Sequence, residues 1–221
     1  MKRVLLILIF LAATAAIAGE LPLVEVPAAP SQPASDTLVV MISGDGGWAN
    51  IDKSIARTLA DQGMPVVGLN SLQYFWTKRT PEGAARDLQS IIDTYLGRWQ
   101  KSRVVLVGYS RGADVLPAMA SRLAPATQSK IRLMALLSPS PNAEFEFHVM
   151  DWMKDSKRGI AVRPDLEKIA ARTICVWGED DSESLCNGLA LPHVKVVTLK
   201  GAHHFDGGYE ALGRLIIEAL P

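Results

Sequence analysis

The sequence has few cysteines and no excess of charge of either sign. Its 221 residues include two cysteines, and 23 basic residues balance 23 acidic ones. No block of like charges and no basic stripe is present, which argues against a nucleic-acid partner. Glycine and proline are not abundant enough to indicate disorder, and the hydrophobic content of 48% is sufficient for one domain with a sizeable core.

The N-terminal apolar segment is too short to span a membrane as a helix, which requires about 20 residues. It begins at Val4, directly after Lys2 and Arg3, and ends in small residues at Ala18. This order is typical of a cleaved secretory signal peptide, which we predict over residues 1–18, with a retained membrane anchor as the alternative. No cysteine follows the small residues, which argues against a lipoprotein anchor. Residues 19–36 contain four prolines among small residues and are predicted to be an extended linker.

The two cysteines, Cys175 and Cys186, are predicted to form a disulfide bond. Export to an oxidising compartment permits such a bond, and an even number of cysteines is what it requires. The alternative is a pair of buried thiols.

Apolar runs and helical periodicities alternate along the rest of the chain. Strands are predicted at residues 37–42, 65–69, 104–107, 131–137, 173–177 and 194–199, and helices at 51–59, 81–99, 112–123 and 208–219. This alternation predicts an α/β fold, in which a mostly parallel sheet has helices on both faces. The domain is expected to cover residues 37–221. Residues 138–160 are the least regular stretch and a candidate for a small cap.

The sequence Gly108-Tyr-Ser110-Arg-Gly112 lies between a predicted strand and a predicted helix. This context is that of the nucleophile elbow of the α/β-hydrolase fold, where glycines flank the serine because side chains there would clash. We therefore predict an α/β-hydrolase fold with Ser110 as the nucleophile. A surface serine flanked by glycines is the alternative.

A serine hydroxyl needs a base, and the base needs an acid to orient it. In this fold the acid follows the penultimate strand and the histidine follows the last strand. Spacing favours His204 as the base, with His203 as the alternative. It favours Asp181 as the acid, with Asp180 as the alternative.

Backbone N–H groups must stabilise the negative charge of a tetrahedral intermediate. The residue after the nucleophile, Arg111, should supply one donor. The glycine-rich loop at residues 43–48 should supply the other, from the amide of Asp45 or Gly46. This loop lacks the Gly-Lys-Ser/Thr ending of a P-loop, which argues against nucleotide binding. We expect neither a cofactor nor a metal ion.

Four motifs resemble the bacterial VirJ/AcvB virulence-protein family. They are Ser-Gly-Asp-Gly-Gly-Trp (43–48), Asn-Ser-Leu-Gln-Tyr-Phe-Trp (70–76), Gly-Tyr-Ser-Arg-Gly-Ala-Asp-Val-Leu-Pro (108–117) and Gly-Ala-His-His-Phe-Asp (201–206). The resemblance covers residues 37–221. It implies a periplasmic enzyme that hydrolyses aminoacylated phosphatidylglycerol, of the lysyl or alanyl type, at the outer face of the inner membrane. It also implies a link to type IV secretion, with secretion-system proteins as partners.

Several side chains are candidates for contact with such a substrate. Trp48, Tyr74 and Trp76 are candidate aromatic contacts with substrate or membrane, and the alternative for the 74–76 segment is an ordinary packed loop. Glu144 and Glu146 are candidates for binding a cationic aminoacyl headgroup, although acids in a loop are commonly just solvated.

Two other functions are compatible with the same sequence. One is a secretion chaperone or binding protein on a hydrolase scaffold, because a fold does not fix a function. The other is a general carboxylesterase or thioesterase. The filled triad positions and the glycine-rich loop favour an enzyme, since a binding protein has no need of them.

Overall fold

A mostly parallel sheet of seven strands organises the protein, for which a computed structural model describes residues 20–30, 35–147 and 159–221. The strand order is β1-β3-β2-β4-β5-β8-β9, and β1 is antiparallel to β3 while the other pairs are parallel. The strands of this sheet are β1 (Leu23–Val26), β2 (Thr37–Ile42), β3 (Val66–Leu69), β4 (Arg103–Tyr109), β5 (Ile131–Leu137), β8 (Thr173–Gly178) and β9 (Val194–Leu199). Two short strands, β6 (Asn142–Ala143) and β7 (Ile160–Ala161), form a separate antiparallel pair.

Within the part of the chain that the structure describes, four α-helices of ten or more residues flank the sheet, and three single-turn α-helices lie in the connections. The longer helices are α1 (Asn50–Ala60), α3 (Pro81–Arg98), α4 (Arg111–Ala120) and α7 (Tyr209–Glu218). The short ones are α2 (Ser71–Tyr74), α5 (Pro125–Gln128) and α6 (Arg163–Leu166). None of the helices among the described residues is long and apolar enough to cross a membrane.

The two faces of the sheet bury two separate hydrophobic cores. Along β2, Val39 and Met41 point to one core, which α1 and α7 cover. Leu38, Val40 and Ile42 point to the other core, which α3 and α4 cover. Successive side chains of a strand point to opposite faces, so the continuous apolar run 37–42 reflects burial on both sides.

Most predicted elements have the expected type and lie within a few residues of the predicted bounds. The linker prediction is wrong at residues 23–26, because these residues pair with β3 as the edge strand β1. Backbone pairing with an existing strand is available to an extended segment despite nearby prolines, since an edge strand leaves one side unpaired. The predicted signal peptide at residues 1–18 lies outside the described residues, as does part of the candidate cap, at 148–158.

The predicted disulfide bond between Cys175 and Cys186 is confirmed. Cys175 lies in β8 and Cys186 in the loop that follows, and both are buried. The bond therefore ties this loop to β8, the strand next to the edge strand β9.

Candidate active site

Ser110 lies at a sharp turn between the end of β4 and the start of α4. Its φ of +52° and ψ of −122° place a non-glycine residue in a rarely populated region of backbone space. Its N–H donates to the carbonyl of Leu137 in β5, at 2.9 Å. This strained conformation is held by the flanking strand and helix and lifts the hydroxyl above the carboxyl end of the sheet.

Gly108 and Gly112 are required by the close approach of backbone around the turn. A Cβ atom at Gly108 would lie 2.7 Å from Cα of Ala113. A Cβ atom at Gly112 would lie 2.7 Å from the carbonyl carbon of Ile42 in β2. Both clashes are with backbone, which has no freedom to move aside, so the glycines are needed on steric grounds.

The hydroxyl of Ser110 forms a hydrogen bond with His203, whose other ring nitrogen binds a carboxylate. Nε2 of His203 lies 2.9 Å from Oγ of Ser110, and Nδ1 lies 3.0 Å from Oδ2 of Asp181. The prediction of His204 at this position is therefore wrong, and its neighbour His203 occupies the place. Asp180 is exposed and takes no part in this contact, whereas the side chain of Asp181 is 14% exposed.

The conformation of the histidine loop decides which imidazole reaches the serine. His204 turns to the hydroxyl of Tyr109, at 2.6 Å from Nδ1, while His203 turns to Ser110. Phe205 follows with its ring buried and a φ of +52°. Adjacent histidines carry no sequence signal that distinguishes them, because the spacing from the last strand differs by one residue.

The loop that bears Asp181 is fixed at several points. The N–H of Asp181 donates to the carbonyl of Gly178 at 2.9 Å, and the N–H of Ser184 donates to the carbonyl of Asp181 at 3.1 Å. Further along, the N–H of Leu185 donates to the carbonyl of Pro139 at 2.7 Å. Together with the disulfide bond, these contacts hold the carboxylate against the imidazole.

The glycine-rich loop lies directly against the nucleophile. A Cβ atom at Gly44 would lie 3.0 Å from Cδ1 of Tyr109 and 3.4 Å from Cβ of Ser110. Within residues 20–30, 35–147 and 159–221, the backbone N–H groups of Asp45, Gly46 and Arg111 have no hydrogen-bond acceptor. These are the donors predicted for an oxyanion hole, and they are available to a substrate oxygen.

The side chain of Arg111 is buried and connects two loops beside the nucleophile. Its Nε lies 2.7 Å from Oδ1 of Asp45, and its Nη1 donates to the carbonyls of Glu144 and Glu146, at 3.2 and 3.1 Å. Its guanidinium carbon also lies 5.8 Å from the centre of the Phe147 ring. Sequence reasoning missed this role of the side chain, since it assigned only the backbone amide of Arg111.

The three candidate aromatic contacts lie in different environments. Tyr74 is buried, and its hydroxyl donates to Asp87 at 2.5 Å, so its prediction as a substrate contact is wrong. The ring of Trp48 packs on Gly68 in β3 and belongs to the edge of the core. Trp76 is 64% exposed and stacks on Phe147 with ring centres 5.7 Å apart.

Glu144 and Glu146 line an open cavity of about 430 Å³. Lys78, Arg79 and Ile160 are among its other lining residues, and Nζ of Lys78 lies 3.6 Å from Oε2 of Glu146. The backbone carbonyls of both glutamates bind Arg111, so the cavity lies on the active-site side of the molecule.

Two buried carboxyl groups lie near the site but form no hydrogen bond with the side chains of Ser110, His203 or Asp181. Oδ1 of Asp114 accepts from the N–H of Ser140 at 2.6 Å, and burial holds the pKa of Asp114 well above its ordinary value. Oδ2 of Asp52 accepts from the N–H of Ala49 at 3.0 Å, and burial raises the pKa of Asp52 to about 7. Both residues favour the neutral carboxylic acid because water is excluded from them.

Solved structures share this architecture. An alpha-beta serine hydrolase homologue from Coxiella burnetii has a TM-score of 0.63 and 17% identity, over 90% of this chain and 91% of that chain. Est1E from Butyrivibrio proteoclasticus, with ferulic acid bound, has a TM-score of 0.64 and 15% identity, over 90% and 93%. XC6422 from Xanthomonas campestris, described as a serine hydrolase without lid, has a TM-score of 0.59 and 15% identity, over 90% and 89%.

These likenesses, with the sheet order and the elbow, define the fold as that of the α/β hydrolases. The sequence then assigns the chain to one family. Residues 36–221 match the family described as bacterial virulence protein (VirJ), and the chain belongs to that family. No curated protein matches the chain in sequence.

Proposed function

We propose that the protein is a serine hydrolase that cleaves ester bonds with Ser110, His203 and Asp181. The observation that carries the proposal is the continuous hydrogen-bonded arrangement of these three side chains, at 2.9 and 3.0 Å. This is the order of contacts that activates a serine as a nucleophile.

In the proposed reaction, Nε2 of His203 takes the proton from Ser110 as its oxygen attacks the ester carbonyl. Asp181 accepts a hydrogen bond from Nδ1 and stabilises the imidazolium ion. The amides of Arg111 and of Asp45 or Gly46 donate to the oxyanion. The alcohol leaves with the proton from His203. A water molecule then gives a proton to His203 as it attacks the acyl-enzyme. The acid leaves, and Ser110 takes the proton back from His203.

For the substrate, we propose an aminoacylated phosphatidylglycerol of the lysyl or alanyl type. Membership of the VirJ family supports this choice, since the resemblance of the motifs implies it. The carboxylate of Glu144, which lines the cavity of about 430 Å³, offers negative charge for an ammonium group of such a headgroup, whereas Glu146 is paired with Lys78. Esterases among the structural neighbours make a simpler carboxylic ester the second candidate.

We further propose a periplasmic location. The predicted signal peptide and the Cys175–Cys186 bond both support export to an oxidising compartment. The association with secretion-system proteins remains a prediction of the resemblance.

The test uses purified protein and phospholipid vesicles that contain lysyl-phosphatidylglycerol, with release of free lysine as the readout. Wild-type protein should release lysine, and a fluorophosphonate probe should label Ser110. Ser110→Ala and His203→Ala should lose several orders of magnitude in kcat. Two matched controls, Ser129→Ala and His193→Ala, change residues remote from the site and should retain activity.

The outcome separates the candidate functions. Hydrolysis of p-nitrophenyl esters without release of lysine would favour a general esterase. Lysine release by folded Ser110→Ala protein at the wild-type rate would overturn the serine mechanism. Absence of probe labelling and of all ester hydrolysis would favour the binding-protein alternative.

A further inference from the structure

His204, the second histidine of the loop, has a partner of its own. Its Nδ1 lies 2.6 Å from the hydroxyl oxygen of Tyr109. Tyr109 precedes Ser110 in the chain, and His204 follows His203. The proposed proton transfer occurs between Ser110 and His203. The hydrogen bond between Tyr109 and His204 therefore joins the residues that adjoin these two.

The environment of Tyr109 keeps its phenol neutral. Burial of the phenol, together with nearby ionisable groups such as Tyr209, Asp52 and Asp45, raises the pKa of Tyr109 above its ordinary value. The neutral hydroxyl can donate to Nδ1 of His204 or accept from it, according to the tautomer of the ring, and either arrangement links the same two residues.

The histidine loop has backbone strain that local contacts must overcome. Phe205 and Asp206 follow the two histidines with φ of +52° and +49°, in the left-handed region that non-glycine residues seldom adopt. Such a conformation is energetically unfavourable for a residue with a side chain, and it persists only where its surroundings hold it. The loop is held by the buried ring of Phe205 and by the hydroxyl of Ser138, which lies 3.2 Å from the carbonyl oxygen of His203.

The Tyr109 bond ties this strained loop to the nucleophile elbow at a second point, beside the hydrogen bond between His203 and Ser110. The ring of His204 also packs edge-on against that of His203, with centres 5.5 Å apart and planes at 90°. A shift of His204 is therefore transmitted to its neighbour by the backbone and by ring packing.

We propose that His204 is a positioning residue, which binds Tyr109 and so keeps Nε2 of His203 within reach of Ser110. The inference rests on the proposed hydrolysis at Ser110 and goes beyond it, because it gives a role to two residues outside the triad. Neither residue is required to touch the reacting atoms. A misplacement of about 1 Å in an active site can lower the rate by about 100-fold.

Three substitutions test the role in the full-length protein. Tyr109→Phe removes the hydroxyl and keeps the ring, and His204→Ala removes the imidazole. His204→Asn keeps an amide close to the position of Nδ1, which can accept from the hydroxyl or donate to it. We expect Tyr109→Phe and His204→Ala each to lower kcat by about 10- to 100-fold with little change in KM. The double variant should be no slower than the slower single variant, and His204→Asn should recover most of the activity.

The control is Tyr95→Phe, which removes a hydroxyl that binds Glu25 of the edge strand β1 at 2.6 Å and has no contact with Ser110, His203 or His204. It should leave kcat unchanged. Wild-type kcat in both Tyr109→Phe and His204→Ala would overturn the inference. It would also be overturned if the losses of the two single variants added up in the double variant and His204→Asn recovered no activity. Either result leaves the proposed function standing as long as Ser110→Ala is inactive. Complete loss in His204→Ala with an active His203→Ala would instead make His204 the base and would overturn both.

Discussion

Nε of Arg111 lies 2.7 Å from Oδ1 of Asp45, which joins the residue after the nucleophile to the glycine-rich loop. The same residue offers a backbone N–H to the proposed oxyanion hole. Arg111 thus supplies one proposed donor and braces the loop that supplies the other. The Arg111 side chain is 10% exposed and that of Asp45 is 37% exposed, so the guanidinium is shielded from solvent while the carboxylate is partly open to it.

We expect Arg111→Met to lower kcat by roughly 10-fold and the free energy of unfolding by about 1–3 kcal/mol, because three charge-assisted contacts are lost. Arg111→Lys should recover only part of this, since an ammonium lacks the planar arrangement of donors. Steady-state kinetics and denaturant unfolding measure the two effects. Arg163→Met, which removes an exposed i,i+4 pair with Glu167, is the matched control. Equal kcat and equal free energy of unfolding in Arg111→Met and Arg163→Met would contradict the proposed support of the glycine-rich loop by Arg111.

Asp181 and Asp180 provide a second test, since they are adjacent and differ in contact with the imidazole. Asp181→Asn should lower kcat by about 10⁴-fold, because an amide favours the wrong tautomer of the histidine. Asp180→Asn should be close to wild type, because its carboxylate is exposed. The rate of fluorophosphonate labelling of Ser110 gives an independent readout. Similar losses of kcat in Asp181→Asn and Asp180→Asn would show that the hydrogen bond between His203 and Asp181 does not decide which carboxylate serves as the acid.

The disulfide bond should support activity more than it supports the fold. Closing a loop of this length contributes roughly 3 kcal/mol in the chain-entropy model, which the two cores can lose without unfolding. The bond does, however, hold the loop that bears Asp181. We expect reductant to lower kcat at temperatures where circular dichroism still reports a folded protein. The Cys175→Ala/Cys186→Ala variant should show the lower kcat and no response to reductant. Activity that is indifferent to both treatments would exclude this role.

Asp52 should make stability depend on pH. Its pKa is raised by burial to about 7, whereas an unfolded carboxyl group titrates near 4. Between these values the folded state holds a proton that the unfolded state has released, so stability falls as pH rises through this window. We expect Asp52→Asn, which keeps an acceptor for the N–H of Ala49, to have a higher Tm than wild type at pH 8 and a similar Tm at pH 4.

The control for this experiment is Asp61→Asn, at the exposed end of the same helix. It should leave the pH dependence of Tm unchanged. Burial also raises the pKa of Asp114, so Asp114 lowers stability in the same way as pH rises. The Asp52→Asn protein should therefore keep part of the decline of Tm with rising pH. Parallel Tm profiles of wild type and Asp52→Asn would refute the assignment.

The sequence alone determined the strand and helix order, the elbow at Ser110 and the disulfide pair. These depend on local signals: runs of apolar residues, glycines at fixed offsets and an even cysteine count. It did not determine the edge strand Leu23–Val26, because a four-residue extended segment pairs only where a partner strand offers a free edge. It also left open whether Tyr74 contacts substrate or packs in a loop, and only the structure places its ring in the core.

Only the tertiary structure decided between His203 and His204. Spacing along the chain constrains a loop residue to within about one position, while the choice of imidazole depends on loop dihedral angles and on which partner each ring finds. The partner of His204 is Tyr109 and the partner of His203 is Ser110, two consecutive residues 95 and 93 positions away in the chain. The same limit applies to Arg111, because its three acceptors come from two separate loops. Contacts between distant segments arise only once the sheet has brought the carboxyl ends of its strands together.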